Sequence, residues 1–186
     1  MANATAVLAN FFCGRLEPAR MAARLVCERY DKDVHGSLVQ KCQHDPKVVA
    51  LVYLGHIEWL LGNPHEAKAA CEAARQLARE LGHPFMLAFA LILGACDHLY
   101  ERDHTANLAS VEEGVQLAKD HGLTLYGSFG PLWAIPALAA KDASALDNLS
   151  GLLKTLLDNH YYLQAPLYQI LLAASAGIAH SGPNEP

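Results

Sequence analysis

The stretch LARELGHP at residues 77–84 is answered by LAKDHGLT at residues 117–124. Leu77, Ala78 and Gly82 return forty residues later as Leu117, Ala118 and Gly122, and Gln76 returns as Gln116. Leu54-Gly55 returns thirty-nine residues on as Leu93-Gly94. Each of the longer matches closes a run rich in small residues that reads as the second helix of a hairpin, and a period near forty is that of two-helix repeats, which use about 34 to 47 residues per unit. One such unit cannot bury its own apolar face, so stability has to come from stacking on neighbours. The expected fold is all-α: an α-α superhelix of about four antiparallel helix pairs plus a C-terminal helix. It forms a single domain over residues 1–180, followed by a disordered tail at 181–186.

Helix boundaries follow from local chemistry. Asp45-Pro46 and Asn63-Pro64 each set a capping side chain before a proline, which is tolerated at the first helical position because that amide has no partner anyway. His83-Pro84 marks a third start, and Gly62, Gly82 and Gly122 mark ends, where a left-handed cap favours glycine. These signals predict pairs at about 4–13 and 17–31, 46–61 and 64–81, 84–100 and 104–121, and 123–139 and 142–159, with a last helix at about 162–180. Gly127, Gly130, Pro131 and Pro136 predict a kink or split in the first helix of the fourth pair. In the second helix of the second pair, Ala67, Ala70, Cys71, Ala74, Leu77, Ala78 and Leu81 share one face at helical spacing.

The order Leu54-Gly55, Gly62, Ala67, Cys71, Ala74 resembles the tetratricopeptide pattern of a Leu-Gly pair, a turn glycine and spaced small residues. Residues 44–91 resemble the tetratricopeptide region near the C-terminus of large bacterial cyclase-like signalling proteins, where it lies behind an ATPase module. The likeness extends over about 14–160 and implies a helical interaction module. It carries no catalytic activity over to this chain, because neither a cyclase nor an ATPase domain fits in 186 residues of this composition.

Composition narrows the function. The formal net charge of −5 argues against a nucleic-acid surface, and Arg15, Arg20, Arg24 and Arg29 read as one solvated helix side. The longest uncharged apolar run, Phe85 to Cys96, is shorter than the roughly 20 residues of a bilayer span. Five cysteines without a CxxC pair read as free thiols, and with no signal-peptide pattern at the N-terminus they point to the cytoplasm. The phosphate-binding loop GxxxxGK[ST] is absent, and His65-Glu66 starts an HExxH motif that fails at Ala69. Cys42/His44 and Cys96/His98 are two Cys-x-His pairs, but residues two apart on a helix diverge, so Cys96 and His98 cannot share one ion. No cofactor, metal ligand set or catalytic residue is expected, and the chain reads as a non-enzyme.

The repeat phase gives a candidate partner site. Val52, His56 and Trp59 share a face of the first helix of the second pair. A step of thirty-nine gives Leu91, Ala95 and His98, and a further step gives Gly130, Ala134 and Ala137. In tetratricopeptide arrays the first helices line the concave groove, and this row, with Tyr126 and Trp133 near the prolines, is the candidate groove for a protein or peptide segment. His56 and Trp59 packing between adjacent pairs is the competing reading, and an apolar ligand in the recess is the functional alternative, as in a ligand-sensing regulatory domain. The last helix carries an apolar stripe of Leu163, Leu167, Ile170, Leu171, Ala174 and Ile178, which either caps the array or pairs with a second copy in a homodimer.

Overall fold

The computed structural model describes residues 2–36, 44–142, 144–160 and 165–180. Among these residues every regular element is helical. Helix α1 (Ala2–Phe12) is followed by α2 (Leu16–Arg29) and the single turn α3 (Lys32–His35), and then by α4 (Pro46–Leu60) and α5 (Pro64–Leu81). Next come α6 (Pro84–Ile92), a 3-10 turn at Leu93–Ala95, α7 (Cys96–Glu101) and α8 (His104–Asp120). The chain continues through α9 (Thr124–Phe129), a second 3-10 turn at Gly130–Ala134, α10 (Ile135–Lys141), α11 (Ala145–Asp158) and α12 (Ala165–His180). The proposed tail at 181–186 and Cys42 lie outside the described residues, as does Leu163.

The capping chemistry works at some ends and is diverted at others. Asp45 accepts from the Lys47 and Val48 amides at 2.9 and 3.0 Å, and its other oxygen accepts from the Tyr30 hydroxyl at 2.7 Å. Asn63 makes no side-chain cap. Its amide instead donates to the buried Glu58 at 2.8 Å, where an uncompensated carboxylate would cost far more than an uncapped helix end. Arg24 reaches the same carboxylate at 2.7 Å and Arg20 lies 3.8 Å from it, so part of the expected solvated arginine face turns inward. Gly82 and Gly122, the repeat-equivalent glycines, both take the left-handed conformation with φ of 64° and 66°.

The core runs from Val7 on α1 to Tyr168 on α12. Helix α4 packs on α2 and α5, α6 on α8, and α12 on α10 and α11. On α5 the small residues Ala67, Ala70, Cys71, Ala74 and Ala78 are all buried, which brings its backbone close to α4. A Cβ added at Gly55 would run into the Cys71 sulfur.

Two helices break, and they break at equivalent places. The prolines account for the turn at Gly130–Ala134, whose C-terminal neighbour α10 also begins with Pro136 in its first turn. The turn at Leu93–Ala95 has no proline and departs from the continuous helix expected over 84–100. Side chains take up the carbonyls there: Ser110 Oγ donates to Leu91 at 2.8 Å, Arg75 Nη1 to Gly94 at 2.6 Å, and Asn107 Nδ2 to Ala95 at 3.2 Å. Asn107 Nδ2 also lies 3.3 Å from the Trp133 carbonyl, so one amide ties the two breaks together.

On α12 the buried positions are Tyr168 and Ser175, Leu167 and Leu171 are half-buried, and Ile170 is 65% exposed. The proposed stripe is thus divided between packing and solvent, and the side chain of Ile178 lies outside the described residues. The stretch Pro84–Glu101 has the length and hydropathy of a membrane span, but 67% of it is buried inside the fold, as for a core segment.

Candidate functional site

Two cavities adjoin, and they share three wall residues: Tyr53, Leu93 and Trp133. These residues are spaced forty apart, the same step that relates LARELGHP to LAKDHGLT. A thirty-nine-residue step from Val52 falls one, two and then three positions short of them, and its first two members, Val52 and Leu91, lie inside the packing. Applying the second-helix period to Tyr53 would have found all three.

The outer cavity, about 270 Å³, is lined by Phe11 and Phe12 of α1, His56 and Leu60 of α4, Tyr100 of α7 and Leu167 of α12, besides the shared wall. Phe12 and Leu60 are 37% and 55% exposed and form its rim. Phe11 meets Tyr53 edge to face with centroids 5.3 Å apart. His56 is 4% exposed, its ring centroid 5.6 Å from that of Trp133. His56 Nδ1 shares a hydrogen bond with the Tyr100 hydroxyl at 2.8 Å. Burial lowers the His56 pKa to about 4, opposed by a hydrogen bond with the Leu93 backbone and by the charge of Asp97, so the ring is neutral at pH 7.

The inner cavity, about 220 Å³, draws its walls from both ends of the chain: Leu8 of α1 and Tyr168 of α12 face it together with Phe89, Tyr126 and Gly130. Desolvation raises the Tyr53 pKa to about 12 and pushes those of Tyr126 and Tyr168 up as well. All three phenols therefore keep their protons near neutrality.

Of the row expected to face the groove, His56 lines the outer cavity, Tyr126 the inner, and Trp133 both. Val52, Leu91 and Ala95 are fully buried and line neither. Val52 lies against the backbone of Gly94, and Leu91 against Gly114. Trp59 stacks on Tyr100 at 5.4 Å, which buttresses the outer cavity from behind. His98 sits apart, 3.8 Å from Asp97, with its Nδ1 buried and lacking a hydrogen-bond partner. Asp97, 1% exposed, is held by Arg75 at 2.8 Å.

The Cys96 sulfur lies 3.5 Å from that of Cys71, and burial raises its pKa. That orientation sends Cys96 and His98 to different partners. Among the described residues no group of three or more His, Cys, Asp or Glu side chains is placed to hold a metal ion. No family model matches the chain, and no curated protein or solved structure matches it either.

Proposed function

We propose that the chain is a tetratricopeptide-like binding module, an α-α superhelix in which residues 2–29, 46–81, 84–120 and 124–158 form antiparallel pairs and α12 caps the array. The observation that carries this reading is the wall of Tyr53, Leu93 and Trp133. Three repeat-equivalent residues on successive first helices line one recess, as the concave face of such an array requires. The partner is a protein or peptide segment that inserts an apolar side chain past Phe12 and Leu60 into the outer cavity. Binding without catalysis fits the chemistry of that cavity, because among the described residues no carboxylate or cationic side chain lines it and its histidine is neutral at pH 7. The resemblance to regions of bacterial signalling proteins makes a cytoplasmic regulatory setting part of the same proposal.

Peptides selected from a random display library against the purified chain test the reading. Phe12→Asp and Leu60→Asp alter exposed side chains, so the melting temperature should hold while the affinity of selected peptides falls about tenfold or more. Peptides that bind both variants as tightly as the parent protein would sink it. A second reading, a ligand-sensing regulatory domain, is favoured by the inner cavity, where α1 and α12 contribute to one enclosure and a bound molecule would touch both ends of the array.

A further inference from the structure

We infer that the inner cavity is a binding site for a compact, neutral, flat molecule of about bicyclic size, bearing a hydrogen-bond-accepting oxygen that the Tyr53 and Tyr126 hydroxyls read. This inference rests on the ligand-sensing reading and supplies its chemistry. Size comes first. An apolar cavity of about 150 Å³ holds one benzene, and the inner cavity, at about 220 Å³, has room for roughly one further fused ring.

Polarity is supplied by phenols. Tyr53 is only 6% exposed, and its hydroxyl has no hydrogen-bond partner among the described residues. The same holds for the Tyr126 hydroxyl. Both side chains line the same cavity. Tyr168 differs in setting, its ring meeting that of Trp133 edge to face with centroids 5.8 Å apart. Solvent reaches both hydroxyls, and the two stand on the lining of one cavity as protonated donors. An oxygen that accepts from both satisfies them together.

Charge decides against an acid. Among the described residues no Lys, Arg, Asp or Glu side chain lines the cavity, and the histidine on its lining, His44, lies at the exposed edge with its ring against Phe85. An anion drawn into the interior would lose its hydration with only neutral donors in exchange. The aromatic walls, Phe89, Phe129 and Trp133 among them, suit a flat molecule. Leu125, 39% exposed and on the lining, marks the mouth.

Three probes of similar size separate these requirements by calorimetry and tryptophan fluorescence on the full chain: coumarin, which has a carbonyl; naphthalene, which has no acceptor; and coumarin-3-carboxylate, which is an anion. Coumarin should bind saturably, one molecule per chain, about tenfold more tightly than naphthalene, and the carboxylate should bind weakest. Tyr53→Phe should erase the preference for coumarin over naphthalene. Leu125→Trp, which narrows the mouth from an exposed position, should weaken both neutral probes about tenfold. The inference is overturned if wild-type protein does not prefer coumarin, if the preference survives in Tyr53→Phe combined with Tyr126→Phe, or if none of the probes binds. Preference for the carboxylate would overturn the ligand chemistry while leaving ligand sensing in place. Sensing itself fails separately, when a bound probe leaves the affinity of peptides at the Phe12 and Leu60 rim unchanged.

Discussion

Helix α4 and the segment from α6 to α7 occupy the same place in the repeat and solve the same packing problem in opposite ways. In α4 the helix is unbroken from Pro46 to Leu60, and Gly55 lets the Cys71 side chain of α5 press against its backbone. In the next unit the equivalent Gly94 is part of a 3-10 turn, and a Cβ there would meet only Val52 at an ordinary 3.7 Å. Close approach has been replaced by hydrogen bonding, with Ser110, Arg75 and Asn107 donating to carbonyls at the break. The closely packed unit has no room beside its backbone. Tyr53 of the unbroken helix and Leu93, Gly130 and Trp133 of the broken segments all line the inner cavity, so the recess lies between the two arrangements.

The comparison breaks most sharply at Arg75. Arg75→Ala leaves Asp97 buried with its charge unpaired and frees the Gly94 carbonyl, and the expected loss is about 3–5 kcal/mol. Urea denaturation measures it, and a loss below about 1 kcal/mol would mean that the break does not depend on this pair.

A pH dependence comes next in size. His56, on the unbroken helix, faces Tyr100 and Trp133 of the broken segments. Its pKa falls from 6.5 to about 4 on burial. Between those values the unfolded chain binds a proton that the folded chain excludes, so the unfolded state is favoured as pH drops. This contribution to stability is whole above about pH 6.5 and is lost toward about pH 4, by roughly 3 kcal/mol in all. Comparing urea midpoints at neutral and acidic pH for wild type and His56→Gln isolates it, and equal pH slopes in the two proteins would remove His56 as the cause.

The glycines sharpen the contrast further. Gly55→Ala should cost about 1–3 kcal/mol through overpacking against Cys71, whereas Gly94→Ala should be neutral or stabilising by about 0.5–1 kcal/mol. Thermal melts of the two variants that moved together would erase the difference between the units. A modest loss is expected at Ser110→Ala, about 0.5–1.5 kcal/mol, for one hydrogen bond to Leu91 in a half-buried position.

Much of this was legible in the residues. The starts at Pro46, Pro64 and Pro84 and the left-handed Gly82 and Gly122 follow from backbone rules that operate within a few residues, and so does the split at Pro131. The break at Leu93–Ala95 was hidden because nothing local requires it. Its carbonyls are satisfied by Arg75, Asn107 and Ser110, which come from two other helices. Asn63 misled for the same reason: a good capping residue was recruited by Glu58, whose burial depends on the contact of α2 with α4. At the site, His56 was found by phase and Tyr126 and Trp133 by their place near the prolines, but Tyr53, Leu93 and Tyr100 were missed. A period measured to within one residue rotates a helix face by about 100°, enough to exchange a cavity wall for a packed interior.

What the sequence determined by itself is the helical class and the limits of most helices, because hydrophobic period, proline and glycine act through neighbours along the chain. The repeat of about forty residues set the order of those helices. Only the tertiary structure decided which carbonyls would leave the helical ladder, which arginines would turn inward, and which aromatic residues would enclose space. Those outcomes depend on where a buried charge or an unpaired polar group finds its partner across helices, and linear spacing does not encode that distance.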